Sequence, residues 1–187
     1  MIAKYSYIIK ITLVIFAAGL LASGCSNLDV KSESELTPDN FPTADAHFEA
    51  AKGIIYTILP ANYAVDYWRL ESLSTDEALI PARSGNWDDG GQYREMHKHT
   101  WTPDNAIVET VWNYAFSGII ACNRVLAMFD QVPEGALKNK NFAEIRTMRA
   151  FFYFILLDNW GNVPILKKFG DDTPTSKRTD VFNFIES

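Results

Sequence analysis

Between residues 76 and 93 the chain sets out Asp76, Arg83, Asn86, Trp87, Asp88 and Tyr93, side chains suited to a ring-shaped ligand with hydroxyls on its edge. Trp87 and Tyr93 offer flat apolar faces, while Arg83, Asn86 and Asp88, with Asp76 just upstream, offer planar groups that exchange hydrogen bonds with hydroxyls. A sugar ring has that combination of apolar face and polar edge. The same aromatics can instead pin a long loop to its scaffold. For Trp87 both roles stand, and for Trp101, near the far end of the stretch, pinning is the preferred one.

Other chemistries find less support. His97 and His99 flank Lys98 and, in an extended chain, would point the same way and share a metal. Two ligands are not a site, and His47 is the remaining histidine, so a surface role is favoured. Asp76 with Glu77, and Asp88 with Asp89, are adjacent carboxylates, whereas a glycosidase needs two such groups at a defined separation across its substrate. Acids at a helix start, in a loop or around a calcium ion explain the pairs as well. No nucleophile elbow, phosphate loop or metal-ligand motif occurs, so no catalytic residue, metal or cofactor is assigned. Cys122 lies in a helical apolar pattern without a neighbouring histidine and reads as core.

These groups need a scaffold, and 187 residues, 48% of them hydrophobic, suffice for an apolar core without metal or disulfide staples. The net charge of −6 disfavours nucleic acid, whose phosphates an acidic surface repels. Lys4 and Lys10 precede an uncharged run over residues 11–24, shorter than the roughly 20 residues that cross a bilayer. It ends Leu21, Ala22, Ser23, Gly24, Cys25, which resembles the signal and lipobox of a bacterial lipoprotein, with Ala22 where leucine is usual. The expected organisation is a signal peptide over 1–24, a lipidated flexible linker over 25–42 with its acyl chains on Cys25, and a helical domain over 43–187.

Within that domain the spacing predicts a helix from Thr43 to Leu59 ended by Pro60, and a second over residues 61–80. Residues 81–103 read as a long loop. Thr102, Pro103 and Asp104 then open a long helix whose stripe runs Val108, Trp112, Ala115, Ile119, Cys122, Leu126 and Phe129, widened by Phe116 and Ile120. Another helix is expected over 141–160, apolar on every side between 150 and 157 and therefore covered by several layers. Gly161 and Pro164 close it, and a last helix starts at Thr179 or Asp180. Arg146 and Arg149 are expected to be structural, buried against acidic partners, and Trp112, Asn113 and Asn123 to serve helix packing and interhelical hydrogen bonds. The fold class is all-α, an irregular α-solenoid with a long loop between helices. A chain that stops within an apolar helix reads as the front part of a longer protein.

Cys25 followed by Leu28 and Asp29, then Ser74, Thr75, Asp76, Glu77, then Trp112, Asn113 and Asn123, and finally Ala143, Glu144, Arg146, Arg149, Ala150, Tyr153, Phe154, Trp160, Gly161, Val163 and Pro164 form a composite pattern. It resembles the N-terminal portion of SusD-like (RagB) outer-membrane lipoproteins of Bacteroidetes. The resemblance implies a tetratricopeptide-like helical scaffold and a non-catalytic surface protein that binds a nutrient, often a glycan. It also implies a SusC-like TonB-dependent transporter as partner, with the membrane reached through the lipid anchor. The alternatives are a surface glycoside hydrolase using Asp76 or Asp88, and a helical scaffold that binds protein only.

Overall fold

The longest apolar periods of the sequence become the two longest helices of the computed structural model, which describes residues 45–83 and 89–187. All of them belong to the unit Pro38–Ser187. Helix α1 spans Asp45–Asn62, a π-helical turn follows at Tyr63–Tyr67, and α2 spans Trp68–Leu73. Short α3 (Gln92–Lys98) precedes the long pair α4 (Ala106–Phe129) and α5 (Ala136–Asn159), and α6 (Arg178–Glu186) comes last. The described residues contain no strand, and Pro164 and Thr175 form an isolated antiparallel bridge. The expected all-α architecture is the one observed. The leader, Cys25, the linker, the Thr43 cap, Asn86, Trp87 and Asp88 lie outside the described residues.

A short connection turns α4 back along α5, and this pair makes the most extensive contact of the fold, with α1 laid on α4 and α6 on α5. Because α1 and α5 both cover α4, its buried arc is wider than one stripe. Val111, Tyr114, Ala115, Ile119, Cys122, Val125 and Phe129 are buried, whereas Ile120, expected beside the stripe, is 45% exposed. From α5 the core receives Ile145, Phe152, Tyr153, Ile155 and Leu156. Phe154, in the run expected to be covered all round, is exposed.

Several boundaries differ from the sequence-based expectation for identifiable reasons. Pro60 lies inside α1 rather than ending it. Proline cannot donate its own hydrogen bond, but the Tyr114 hydroxyl donates to the neighbouring Leu59 carbonyl at 2.8 Å, and the backbone widens into the π turn and continues. The second helix stops at Leu73, where the Ser74 hydroxyl folds back to the Leu70 and Glu71 carbonyls. Helix α5 starts at Ala136, earlier than expected. Lys138, buried in its first turn, donates to the Asp130 and Val132 carbonyls and to Glu134, placing a cation at the negative end of α4. At the other end of α5, Gly161 adopts φ 72° and its N–H reaches the Leu156 and Leu157 carbonyls, the left-handed closure that glycine allows.

Helix α4 opens on Asn105, three residues beyond Thr102. The Asn105 side-chain oxygen accepts from the Ile107 N–H at 3.0 Å, and its amide donates to Glu95 at 2.9 Å and to the Gln92 carbonyl at 3.2 Å. Asn105 therefore caps α4 and fastens α3 to it. Asn105→Ala is expected to cost about 2 kcal/mol, the cap together with buried amide partners left unpaired. Urea unfolding checks this, and a loss below about 0.5 kcal/mol would show that the cap is dispensable.

Beyond α5, residues 163–176 are strapped to the helices by polar groups. The Asn123 amide donates to the Leu166 carbonyl at 2.8 Å, and the Leu166 N–H donates to the Tyr153 hydroxyl at 2.7 Å. Arg149 donates to the Asn123 side-chain oxygen at 2.7 Å and to the Lys167 carbonyl at 3.1 Å, with its guanidinium 5.0 Å from the Phe184 ring centre. Its partners are neutral, not acidic as expected, because the strap presents backbone carbonyls at that point. Arg146 is exposed over the Phe142 ring, and Asn113, expected in an interhelical bond, faces solvent.

Candidate functional site

The stretch between α2 and α4 carries the groups singled out for ligand chemistry. Asp76 and Arg83 are exposed there. Tyr93 is 6% exposed, on the inner face of α3, and the Arg69 guanidinium lies 5.3 Å from its ring centre. Arg69 is itself held by Asp66 at 3.0 Å. The Tyr93 ring is thus part of the core and not an open platform, while Asp76 and Arg83 face outward.

Helix α3 falls within what reads as loop, and Asp89 is the reason it forms. Its carboxylate accepts from the Gly91 N–H at 3.1 Å and from the Tyr93 N–H at 2.9 Å. Gly90 and Gly91, at φ 71° and 96°, supply the left-handed backbone that leads into the helix. Burial pushes the Asp89 carboxyl up, but the backbone N–H groups of Tyr93 and Gly91 outweigh it and hold it below the usual carboxylate range. This leaves Asp89 a structural acceptor, so the Asp88 and Asp89 pair does not act as two free carboxylates.

The histidines do not adopt the extended geometry a shared metal would need. His97 is on α3, and His99 closes that helix in a left-handed conformation at φ 54°. The His99 ring donates from Nε2 to the Ser74 carbonyl at 2.6 Å and stands edge-on to Trp101, ring centres 5.4 Å apart. Among the described residues no group of three histidine, cysteine or acidic side chains could hold a metal ion. The Cys122 thiol is fully buried and pushed up to about 12 by burial, against a smaller opposing effect of the Arg149 charge, which fits the core reading.

A hollow of about 380 Å³ lies between α2, α3, the start of α4 and the end of α5. Its walls include Glu71, Ser74, Met96, Trp101, Asn159 and Trp160. Trp101, expected to pin the loop, packs against the His99 ring and remains 39% exposed. Trp160 is half-buried, its ring edge-on to Trp112 at 5.3 Å between centres. The hollow could not be read along the chain, because its aromatic walls come from segments far apart in sequence. The available hint was that both Trp101 and Trp160 sit at helix boundaries.

The chain matches known proteins over most of its length. The SusD-like family described as "Starch-binding associating with outer membrane" matches residues 27–186. A SusD-like protein of Bacteroides ovatus is 28% identical over 92% of this chain and 32% of its own length. The starch-binding protein SusD of Bacteroides thetaiotaomicron is 24% identical over 90% of this chain and 28% of its own. Among solved structures, a laminarin-binding SusD-like protein superposes with a TM-score of 0.63 at 20% identity, over 75% of this chain and 32% of that one. Surface glycan-binding protein A from Bacteroides uniformis gives a TM-score of 0.64 at 19% identity, over 76% of this chain and 32% of that one. The chain spans about a third of the length of these relatives, which share its helical scaffold. Its sequence match over residues 27–186, together with the arrangement of its helices, places it in the SusD-like family, to which it belongs.

Proposed function

We propose that this protein is a lipid-anchored, cell-surface binding protein without catalytic activity that captures an oligosaccharide and passes it to a SusC-like TonB-dependent transporter in the outer membrane. The observation that carries this reading is the family match across residues 27–186, on a scaffold shared with structures named for laminarin and surface-glycan binding. Cys25, directly after small residues behind an uncharged run, supports a lipid anchor. No helix among the described residues is long and apolar enough to cross a membrane.

The ligand meets the segment between α2 and α3, where Asp76, Arg83, Asn86 and Asp88 bond hydroxyls and Trp87 stacks on a ring face. Electrophoresis of the full chain through gels containing starch or laminarin tests the reading. The unaltered protein should be retarded, and Trp87→Ala should weaken retention roughly tenfold, the equivalent of about 1.4 kcal/mol. Free migration of the unaltered protein in both gels, and in a wider panel of neutral glycans, would overturn it. The mass of native protein from membranes should show acyl chains on Cys25, and an unprocessed, unacylated chain would remove the anchor.

A further inference from the structure

We infer that the hollow walled by Trp101 and Trp160 is a second sugar subsite, one that takes a single neutral pyranose ring of the bound oligosaccharide. The inference deepens the proposed function and rests on it. A volume of about 380 Å³ suits a small ligand, and the hydrogen-bond inventory of the walls narrows its chemistry.

The Asn159 amide N–H₂ already donates to the Ile155 carbonyl at 3.0 Å, while its side-chain carbonyl oxygen has capacity to accept. The Ser74 hydroxyl donates to the Leu70 and Glu71 carbonyls at 3.0 and 3.1 Å, so it keeps lone pairs but no proton to offer. Glu71 lines the same hollow with a carboxylate, whose oxygens accept hydrogen bonds. Glu71, Asn159 and Ser74 therefore offer the hollow acceptors. Its occupant must bring several donors, and beside Trp101 it must also bring a flat apolar face. A pyranose carries hydroxyl donors around its rim and C–H groups on its face. A purely apolar ligand would displace water from the half-buried Asn159 and Ser74 acceptors without pairing them, and an anion would be repelled by Glu71.

The aromatic platform is also held in place. His99 takes a backbone conformation uncommon outside glycine, and its ring both bonds the Ser74 carbonyl and stands roughly perpendicular to the Trp101 ring. Trp101 keeps 39% of its surface open in spite of that support. A loop aromatic that only pins the chain gains most by burying its ring; this one is braced by His99, lines the hollow and keeps part of its surface open.

The test uses the full chain with maltoheptaose and laminarihexaose as probes in titration calorimetry, beside the glycan gels. Trp101→Ala should weaken whichever probe binds by about fivefold to tenfold, Trp101→Phe should recover most of that, and Glu71→Gln should weaken it about threefold. Probe addition should change the tryptophan fluorescence of the unaltered protein, and the change should shrink in Trp101→Phe. Binding that is lost in Trp87→Ala but unchanged in both Trp101→Ala and Glu71→Gln would overturn this subsite while the proposed function stood. Absence of binding by the unaltered chain to any neutral glycan would overturn the proposed function, and the subsite with it. Should Trp101→Ala lower the unfolding midpoint, Glu71→Gln decides, since that side chain is exposed and the change keeps its volume.

Discussion

Glu144→Ala is expected to destabilise the protein by about 3 kcal/mol, because it strands a buried cation. The Lys52 side chain is 2% exposed, and its ammonium lies 2.6 Å from Glu144 on α5 and 2.8 Å from Glu49 on its own helix α1. Glu144 also accepts from the Tyr56 hydroxyl at 2.5 Å, so one carboxylate joins two groups of α1 to α5. Glu49 is 58% exposed and cannot replace it. With Glu144 at 29% exposure, water reaches part of the pair, which puts the cost at the low end for a broken buried ion pair. Glu144→Gln, which keeps an acceptor, should lose less. Lys52→Met combined with Glu144→Leu should restore most of the stability, since it removes the charge together with its partner. Urea unfolding of the set decides the matter, and a loss under about 0.5 kcal/mol for Glu144→Ala would mean that the pair does not hold α1 to α5.

The same pair sets a pH dependence. Burial pushes the Glu144 carboxyl up, but hydrogen bonds from Lys52 and Tyr56, and the Lys52 charge, outweigh it and hold the group below its ordinary value of 4.5. Its contribution is therefore present above that value and is lost as pH falls through the lower, folded-state value. Burial pulls Lys52 down, but the bonds and charges of Glu144 and Glu49 carry it above 10.5, so its contribution is present below 10.5 and fades as pH rises through the folded value. In the Lys52→Met, Glu144→Leu protein the acid-side loss should be smaller.

Gly118→Val should cost more than about 3 kcal/mol, and Gly118→Ala about 1–2 kcal/mol, although either residue would be the better helix former in isolation. A Cβ at Gly118 of α4 would overlap the Phe152 ring of α5 far inside van der Waals contact. That ring is fully buried and stands edge-on to Tyr114 and Phe151, with centres 5.6 and 5.9 Å away, so it has no room to retreat. For a chain of 187 residues, each kcal/mol lowers the thermal midpoint by roughly 2–4 °C. Adding Phe152→Leu to Gly118→Ala should return part of the loss. An alanine variant as stable as the parent would show that the helices part without cost.

What the sequence determined by itself is whatever depends on residues close along the chain. The apolar periods through Ala115, Ile119 and Cys122, and through Phe152 to Leu156, are long enough to specify α4 and α5 from local pattern, and Gly161 closes α5 where a left-handed residue was needed. The composite pattern from Ser74 to Pro164 was sufficient for the family, since it rests on residue identity and order. Tertiary structure decided the features whose stabilising partners are distant. Helix α3 is too short to show a period, and it exists because Asp89 caps it while Tyr93 and Met96 bury themselves against the body. Pro60 lies within a helix that runs on into a π turn, where the Leu59 carbonyl accepts from Tyr114 of another helix. Arg149 meets carbonyls instead of acids because the strap over residues 163–176 happens to pass there. Trp101 and Trp160 face one hollow only once α5 has turned back along α4. A side chain's type is written in the sequence, but its neighbours across the fold are set by packing, so the scaffold was legible and the hollow was not.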